Sequence, residues 1–307
     1  MLGDNFAAFI LTRSRAGNVA TVDTLRRDGY TGPIVLLIDD EDPEGDKYEE
    51  IYSSMEGVSV EVFCKREVEG FDVGDNFKDR ASVVYARNAC FDVAKSLGFT
   101  YFIMLDDDYT SWRWRWQNNT YTTKGHTNHL DECFGAVLRY YKATPFTSIA
   151  FAQGGDFIGG ESCGLISSYA RISRKCMNSF FCSTERRFTF DGRINEDVNA
   201  YTMHGSRGKL FLTIPHLGLE QVQTQKNSGG MTDIYKYRGT YIKSFYSVMM
   251  QPSSVRVAAM GFKELRLHHL IDWGYATPKI VAAKHAKPDE IKPSRPVATY
   301  QGKEDTA

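Results

Sequence analysis

The chain has 307 residues, with 37 Lys and Arg against 38 Asp and Glu, so its formal net charge is -1. Charged residues make up 24% of the sequence and hydrophobic residues 42%, which is typical of a soluble globular protein and excludes a disordered or collagen-like chain. The longest apolar runs, such as 34–38, are far shorter than the roughly 18 residues of a membrane-spanning helix, so we predict no membrane partner.

The cysteines and the first residues bear on the compartment of the protein. Six cysteines are scattered along the chain, and none of them forms a C-x-x-C pair. This spacing predicts free thiols in a reducing compartment, not a disulfide scaffold or a zinc site. The chain starts Met-Leu-Gly-Asp-Asn, with an acid where a secretory signal would carry basic residues. We therefore expect a cytoplasmic protein, in the host cytoplasm if a phage encodes it.

The first hundred residues alternate between strand and helix patterns. Helices are predicted after Asn18, a candidate N-cap, and after Asp79, where an apolar face continues to Gly98. Strands are predicted at 6–12, 34–38, 58–63 and 101–105, of which 58–63 alternates apolar with polar residues. This order predicts an α/β fold with a mostly parallel, Rossmann-like sheet that is flanked by helices.

The pattern changes after residue 108, where aromatic and basic residues interleave. Helices are predicted at about 128–141, at about 196–203 and at 233–250, and strands at 147–152 and 209–214. Beyond residue 287 the chain holds prolines among charged residues and has no apolar period. We predict one domain over 1–285, in two halves of 1–110 and 111–285, followed by a flexible tail over 286–307.

Three consecutive carboxylates, Asp106, Asp107 and Asp108, directly follow the strand at 101–105. Such strand ends are where α/β sheets bind ligands. Adjacent carboxylates repel one another, and burying part of their charge is costly without a cation. Mg²⁺ and Mn²⁺ accept carboxylate and phosphate oxygens together. Because alternate residues of an extended chain share a side, Asp106 and Asp108 are the candidate metal ligands. A solvated acidic loop is the alternative.

Other signatures of nucleotide, hydrolase and protease chemistry are missing. The glycine-rich segment 154–160 has the spacing of a P-loop, but Glu161 follows where a P-loop has Lys. The chain has no G-x-G-x-x-G after its first strand, no G-x-S-x-G and no H-E-x-x-H. The sequence therefore disfavours a kinase, a dehydrogenase, an α/β hydrolase and a metalloprotease.

Four segments in order, 6–12, 34–40, the Tyr-Ala-Arg-Asn-Ala phrase at 85–89 and 102–108, resemble the nucleotide half of a GT-A glycosyltransferase. The resemblance implies a GT-A-type sheet with a nucleotide half followed by an acceptor half. It also implies a nucleoside diphosphate sugar as donor and Mn²⁺ or Mg²⁺ held by the DxD motif, Asp106 and Asp108. The donor-binding residues that it implies are Thr12, Arg13, Asp39, Asp40, Arg87 and Asp106.

The acceptor-side phrase of the same family, an adjacent Glu and Asp, matches Glu196 and Asp197. In inverting members its aspartate is the usual general base. The resemblance therefore implies that Asp197, with Glu196 as second candidate, removes the proton of the acceptor hydroxyl. Such assistance is typically worth ~10²–10⁴-fold in rate. The alternative is that both acids only stabilise the start of a helix, where negative charge is favoured.

A later histidine is a further metal ligand in many family members. His216 follows the strand at 209–214 and is the first candidate for this role. His268 and His269 follow another alternating stretch and compete for it. Each of the three can equally be an ordinary surface or core histidine.

The Trp-Arg-Trp-Arg-Trp run at 112–116 bears on the acceptor. In an extended chain the indoles share one face and the guanidinium groups the other. Indoles can stack on a sugar or an unstacked base and arginines can bind phosphates, whereas the alternative is that the tryptophans cover the core. Flexible glycines would let the backbone approach a ligand. The predicted acceptor contacts are Trp112, Trp114, Gly154 and Gly155.

A nucleic-acid partner of this nearly neutral chain would need a local group of basic residues. Such residues are concentrated in the second half and would permit a basic acceptor groove: Arg171, Arg174, Lys175, Arg186, Arg187, Lys236 and Arg238.

Within the GT-A enzymes, the segments 105–109, 112–116, 154–160 and 276–280 resemble the TET-associated glycosyltransferases of phages and related systems. The resemblance implies transfer, from a donor that is expected to be UDP-linked, to 5-hydroxymethylcytosine in DNA or to its uracil analogue. The target base would have to be flipped out of the duplex, at a cost of a few kcal/mol. Two alternatives stay open: a GT-A enzyme that acts on a polysaccharide, glycan or protein hydroxyl, and a non-catalytic nucleotide- or DNA-binding module.

Overall fold

The computed structural model describes residues 3, 5–75, 80–117, 120–163, 171–221, 241–260 and 266–279. Nine strands form one large sheet: β1 (Phe6–Leu11), β2 (Ile34–Asp39), β3 (Val58–Phe63), β4 (Tyr101–Asp106), β5 (Tyr109–Gln117), β6 (Thr120–His126), β7 (Ser148–Gln153), β8 (Ser179–Ser183) and β9 (Phe211–Gln221). Their order across the sheet is β3-β2-β1-β4-β8-β7-β9-β5-β6. Two more strands, β10 (Val255–Met260) and β11 (Arg266–Ile271), form a separate antiparallel pair.

Seven α-helices accompany these strands in the described part of the chain. They are α1 (Ala20–Arg27), α2 (Gly45–Tyr52), α3 (Val84–Ser96), α4 (Leu130–Ala143), α5 (Glu196–Ser206), α6 (Tyr241–Met250) and α7 (Trp273–Ala276). The predicted α/β class is confirmed, and the four strands predicted between residues 6 and 105 all form. The predicted N-cap Asn18 is wrong, because α1 begins after Val19 without a side-chain cap. Asp79 and the predicted tail 286–307 lie outside the described residues.

The first half of the sheet creates a ligand-binding edge. Strands β3, β2, β1 and β4 are all parallel, so their carboxyl ends meet at one edge. The chain leaves β1 for β2 on one side and returns to β4 on the other. Open α/β sheets bind ligands at the point where the strand order reverses in this way. Leu11 is paired with Asp106 there, which places the acidic triplet beside the end of β1.

The second half of the sheet brings another loop to the same edge. β8 is antiparallel to β4, and β7 is antiparallel to β8, so β7 runs in the direction of β4. β7 is parallel to β9, and β5 is antiparallel to both β9 and β6. The residues that follow β7, among them Gly154 and Gly155, therefore lie at the carboxyl edge that carries the acidic triplet.

Hydrophobic clusters cover both faces of the sheet. Every residue of β1 is at most 4% exposed, and alternate residues belong to different clusters. One cluster joins Phe6 to Phe134 of α4, and the other joins Phe9 to Phe91 of α3. This burial on both faces explains why the strand reads as a continuous apolar run. None of the described helices has the length and hydropathy needed to cross a membrane.

Trp112 lies in the hydrophobic core and not in a cleft. Its side chain is 0% exposed, and its ring packs edge-on against Phe134 and Phe151, with centroid distances of 5.3 and 5.0 Å. The prediction that Trp112 contacts the acceptor is therefore wrong. Trp114 packs against the same cluster but is only half-buried, so its acceptor role stays a prediction.

Arg113 and Arg115 lie apart from the hydrophobic cluster that Trp112 and Trp114 contact, as the alternation predicts. The Nε of Arg113 and an Nη of Arg115 each lie 2.8 Å from a carboxylate oxygen of Glu220 on β9. Arg115 is 6% exposed, and its guanidinium lies 4.7 Å from the ring centroid of Phe157. Both guanidinium groups are therefore already bound by other side chains of the protein.

The burial of Trp112 predicts a large effect on stability. We expect Trp112→Ala to lower the free energy of unfolding by about 3–5 kcal/mol, because it leaves a cavity in the core. Trp114→Ala should cost clearly less, since its side chain is half-exposed. Urea unfolding of both variants measures the difference, and equal losses would contradict this account of the run.

Candidate functional site

The central carboxylate of the acidic triplet is bound by the protein itself. Asp107 is 4% exposed and accepts a hydrogen bond of 2.8 Å from the hydroxyl of Thr12. An Nη of Arg15 lies 2.6 Å from its other oxygen. Both partners follow β1, so Asp107 fixes the triplet to the neighbouring strand end. This leaves Asp106 and Asp108 as the pair available to a ligand, as the alternation predicts. The donor-binding role of Thr12 stays a prediction.

The two remaining carboxylates of the triplet have different surroundings. Asp106 is 25% exposed and accepts a hydrogen bond of 2.6 Å from Arg87. Asp108 is half-buried, and no described cation forms an ion pair with it. Burial, followed by the negative charges of Asp106 and Asp107, raises the pKa of Asp108 to about 7, while Arg15 opposes the shift. A divalent cation would relieve this repulsion, so the donor set fits a hard metal ion.

The predicted third metal ligand is not found in the described part of the chain. There, no group of three His, Cys, Asp or Glu side chains is arranged to hold a metal ion. His216 lies on β9, and His268 and His269 lie on β11, without forming such a group with Asp106 and Asp108. The role of these histidines stays a prediction. Mg²⁺ commonly binds one or two carboxylates together with substrate phosphates and water, so two protein ligands suffice.

Arg87 of α3 links the acidic triplet to the start of α5. It is 1% exposed, and its Nη2 donates to Asp106 at 2.6 Å and to the side-chain oxygen of Asn178 at 3.0 Å. Its Nε donates to Glu196 over 3.3 Å. The guanidinium also lies 5.5 Å from the ring centroid of Phe180. Arg87 is thus a buried cation between two carboxylates, and direct contact with a donor stays a prediction.

The two acids at the start of α5, Glu196 and Asp197, differ in burial and in ion pairing. Glu196 is 7% exposed and binds Arg87; burial and the charge of Asp197 raise its pKa, which Arg87 partly offsets. Asp197 is half-buried, and within the described structure no ion pair engages its carboxylate. Its charge acts on both Asp106 and Lys175. Asp197 is therefore the more accessible acid and lies near the acidic pair, which agrees with its choice as first candidate for the base.

The carboxyl ends of β2 and β3 carry a second charged group. Asp39 is 7% exposed and pairs with Lys65 Nζ at 2.8 Å and with Arg13 at 3.4 Å. Lys65 itself is 1% exposed. Asp40 is exposed and accepts a hydrogen bond from the backbone N–H of Lys65, which lowers its pKa. Lys65 is not among the predicted site residues, although its position two residues after the predicted strand at 58–63 is a signal that could have found it.

Gly154 and Gly155 form an exposed turn after β7. No atom of the described residues lies within 4 Å of where a Cβ would sit on either glycine, so the backbone is open to approach from this part of the structure. The preceding residue, Gln153, donates a 3.2 Å hydrogen bond to the hydroxyl of Tyr109, which directly follows the acidic triplet. The turn and the triplet are thus connected at one edge of the sheet. Acceptor contact by these glycines stays a prediction.

Three of the basic residues predicted for an acceptor groove bind other groups of the protein. Arg174 pairs with the carboxylate that follows the glycine turn, and Arg186 donates to backbone carbonyls at the end of α4. Arg187 pairs with a carboxylate of α3. Lys175 forms no ion pair with a described carboxylate, and its pKa is lowered, mainly by burial. Residues 236–238 lie outside the described part.

Comparison with known proteins identifies a family whose sequence model matches this chain. The sequence model of the family described as TET-Associated Glycosyltransferase matches residues 6–230, which contain all nine strands of the large sheet. No curated protein sequence matches the chain. Among solved structures, GalNAc-T7 with UDP, GalNAc and Mn²⁺ is similar with a TM-score of 0.43 and 13% identity, over 71% of this chain and 43% of that one. The chain thus spans less than half of that structure's length.

Proposed function

The chain belongs to the TET-associated glycosyltransferase family, and on that premise we propose that it glycosylates DNA. The donor is a nucleoside diphosphate sugar, with UDP as the expected nucleotide. The acceptor is the hydroxymethyl group of 5-hydroxymethylcytosine. The observation that carries the proposal is the arrangement at one sheet edge: an acidic pair, Asp106 and Asp108, beside a separate accessible carboxylate, Asp197.

The donor side of the site is built on the ends of β1, β2 and β4. Asp106 and Asp108 would hold Mn²⁺ or Mg²⁺, because both offer carboxylate oxygens and no described cation forms an ion pair with Asp108. When bound, such an ion neutralises the diphosphate leaving group as the glycosidic bond breaks. Asp107, fixed by Thr12 and Arg15, holds the acidic loop in position without taking part in binding.

The nucleoside of the donor would lie along the ends of β2 and β3. There Asp39 offers carboxylate oxygens to the N–H groups of a base edge, while Lys65 and Arg13 compensate its charge. A carboxylate that is held by ion pairs keeps a fixed orientation. This arrangement supports a donor whose base presents an N–H, as uracil does.

The acceptor hydroxyl would give its proton to Asp197. The oxygen then attacks the anomeric carbon of the donor, the bond to the diphosphate breaks, and Asp197 holds the proton. Arg87 and Glu196 fix the first turn of α5 and so orient Asp197, the candidate general base. A base within a duplex cannot reach this edge, so the target nucleotide must be flipped out. The open turn at Gly154 and Gly155 leaves room for its approach.

The test is to incubate the protein with hydroxymethylated and unmodified DNA, Mn²⁺ and a panel of nucleotide sugars. The nucleosides are then analysed by mass spectrometry. We expect one donor to add the mass of its sugar to the hydroxymethylated nucleoside only. Unchanged DNA with every donor would contradict the proposal, and transfer to a glycan or protein hydroxyl in parallel reactions would replace it.

A further inference from the structure

Asn178 lies beside the acidic pair but has no role in the chemistry described so far. It directly precedes β8, whose first residue, Ser179, is paired with Leu105 of β4. Because the two strands are antiparallel, Asn178 lies next to Asp106, at the edge of the sheet that carries the acidic triplet. Asn178 is half-buried, so a ligand at this edge can reach its side chain.

The backbone of Asn178 is held in an uncommon conformation. Its φ angle is 46°, in the left-handed region that residues other than glycine seldom adopt. The hydroxyl of Tyr109, which directly follows the acidic triplet, donates to its carbonyl over 2.7 Å. Tyr109 is buried and itself accepts a hydrogen bond of 3.2 Å from Gln153. Such conformations persist where the surroundings impose them, and they are concentrated at functional sites.

Arg87 fixes the orientation of the Asn178 amide. The Nη2 of Arg87 donates to the side-chain oxygen of Asn178 over 3.0 Å and to Asp106 over 2.6 Å. A guanidinium has no acceptor, so the oxygen of the amide must face it and the NH₂ group must point away. In the described part of the chain, no group accepts a hydrogen bond from this NH₂ group. Asn178 therefore presents oriented N–H donors that have no described partner.

The transferred sugar would lie within reach of these donors. Its anomeric carbon must lie between the diphosphate, which the metal ion on the acidic pair would hold, and the acceptor oxygen at Asp197. Arg87 spans the same gap, from Asp106 to Glu196 at the start of α5. Asn178 is bonded to the Arg87 nitrogen that also holds Asp106, on the donor side of this gap. A sugar carries several hydroxyl oxygens, each of which accepts hydrogen bonds.

We infer that the side-chain amide of Asn178 donates a hydrogen bond to a hydroxyl of the transferred sugar. The inference rests on the proposed function and adds to it a residue that recognises the sugar. Asn178 would contact neither the nucleotide nor the DNA. A sugar that lacks this hydroxyl, or carries it in the opposite configuration, would leave the N–H unpaired, so the contact selects among nucleotide sugars.

The test measures how much the sugar adds to the affinity for the nucleotide. Calorimetry with Mn²⁺ and without DNA gives the affinities for the nucleotide sugar that binds best and for its free nucleoside diphosphate. Asn178→Asp keeps an oxygen for Arg87 and tolerates the left-handed backbone, but it has no N–H. We expect it to lower the ratio of the two affinities roughly 3- to 10-fold, as the loss of one hydrogen bond predicts. Asn178→Gly, which allows the same φ angle, should lower this ratio equally.

Donors that lack one hydroxyl identify the contact. The wild type should bind one monodeoxy donor roughly 3- to 10-fold more weakly than the complete donor. Asn178→Asp should bind this analogue and the complete donor equally, because both changes remove the same hydrogen bond. Asn128→Asp, the same exchange at an exposed asparagine beside Gly29, should match the wild type in every assay.

Three outcomes would overturn the inference and leave the proposed function intact. They are an unchanged affinity ratio in both Asn178 variants, a loss in Asn178→Gly alone, and additive losses from Asn178→Asp and every deoxy donor. A loss in Asn178→Gly alone would mean that Asn178 acts only through Arg87. If the wild type transfers no sugar to hydroxymethylated DNA, the proposed function is wrong, whereas the affinity ratio still tests Asn178 because it is measured without DNA.

Discussion

Asp108→Asn should abolish sugar transfer while the protein stays folded. The substitution keeps the shape of the side chain but removes one of the two carboxylates that would hold the metal ion. Because the acidic pair would neutralise the leaving group through that ion, we expect turnover to fall by about a thousandfold, the upper end of the loss seen when electrostatic stabilisation is removed. Transfer assays at saturating donor and Mn²⁺ measure this loss.

The same variant should be as stable as the wild type or more stable at neutral pH without metal. An unfolded Asp has a pKa of about 3.9, whereas burial and the neighbouring carboxylates raise that of Asp108 to about 7 in the folded protein. An acid whose pKa is higher in the folded protein stabilises the folded state at low pH. This contribution to stability is lost as the pH rises from about 4 to about 7. The stability that Asp108→Asn gains over the wild type should therefore increase as the pH rises from about 4 to about 7.

Asp46 provides the matched control for this prediction. It is an exposed acid in the first turn of α2, so Asp46→Asn removes the same charge away from the triplet. We expect wild-type transfer and wild-type pH dependence of stability from it. Full transfer by Asp108→Asn, with Mn²⁺ still required, would remove Asp108 from the metal site.

Asp197→Asn should lower kcat at least a hundredfold and leave donor binding nearly unchanged. An amide of the same shape cannot accept the proton of the acceptor hydroxyl, and general-base assistance is typically worth ~10²–10⁴-fold. Donor affinity should persist because the donor lies on the ends of β1, β2 and β4. Steady-state kinetics and UDP titration separate the two effects.

Glu196→Gln is the informative comparison for Asp197→Asn. Glu196 is buried against Arg87, so its substitution should lower stability as well as activity by leaving part of that guanidinium without a charged partner. Asp197→Asn should lower activity but leave stability unchanged. A large loss of UDP affinity in Asp197→Asn would instead assign this residue to the nucleotide pocket.

The sequence predicted the donor half of the molecule well because local patterns decide it. Apolar runs of strand length, each followed by turn residues, predicted β1 to β4, and parallel order then brought their ends together. The position of Asp106 and Asp108 follows from this topology alone. α2 was missed, since only Tyr48 and Tyr52 of its residues are buried and its apolar pattern is weak.

The acceptor half depends on contacts between residues that are far apart in the chain. The alternation at 112–116 predicts two faces but cannot say which of them meets the core, and Trp112 proved to lie inside. Likewise, Asn195, the residue before α5, donates a hydrogen bond to the backbone carbonyl of Lys243 only because α6 packs near α5. No local pattern encodes such a contact, so the packing of α6 near α5 was found only from the structure.

The central claim is that the acidic pair binds a metal ion that carries the donor diphosphate. Diffraction from crystals soaked with MnCl₂ and UDP, recorded where manganese scatters anomalously, tests it most directly. We predict one strong anomalous peak within coordination distance of the Asp106 and Asp108 carboxylates, with the diphosphate of UDP bound to it. Density for UDP without manganese at these carboxylates, or manganese bound elsewhere with the pair left free, would contradict the account.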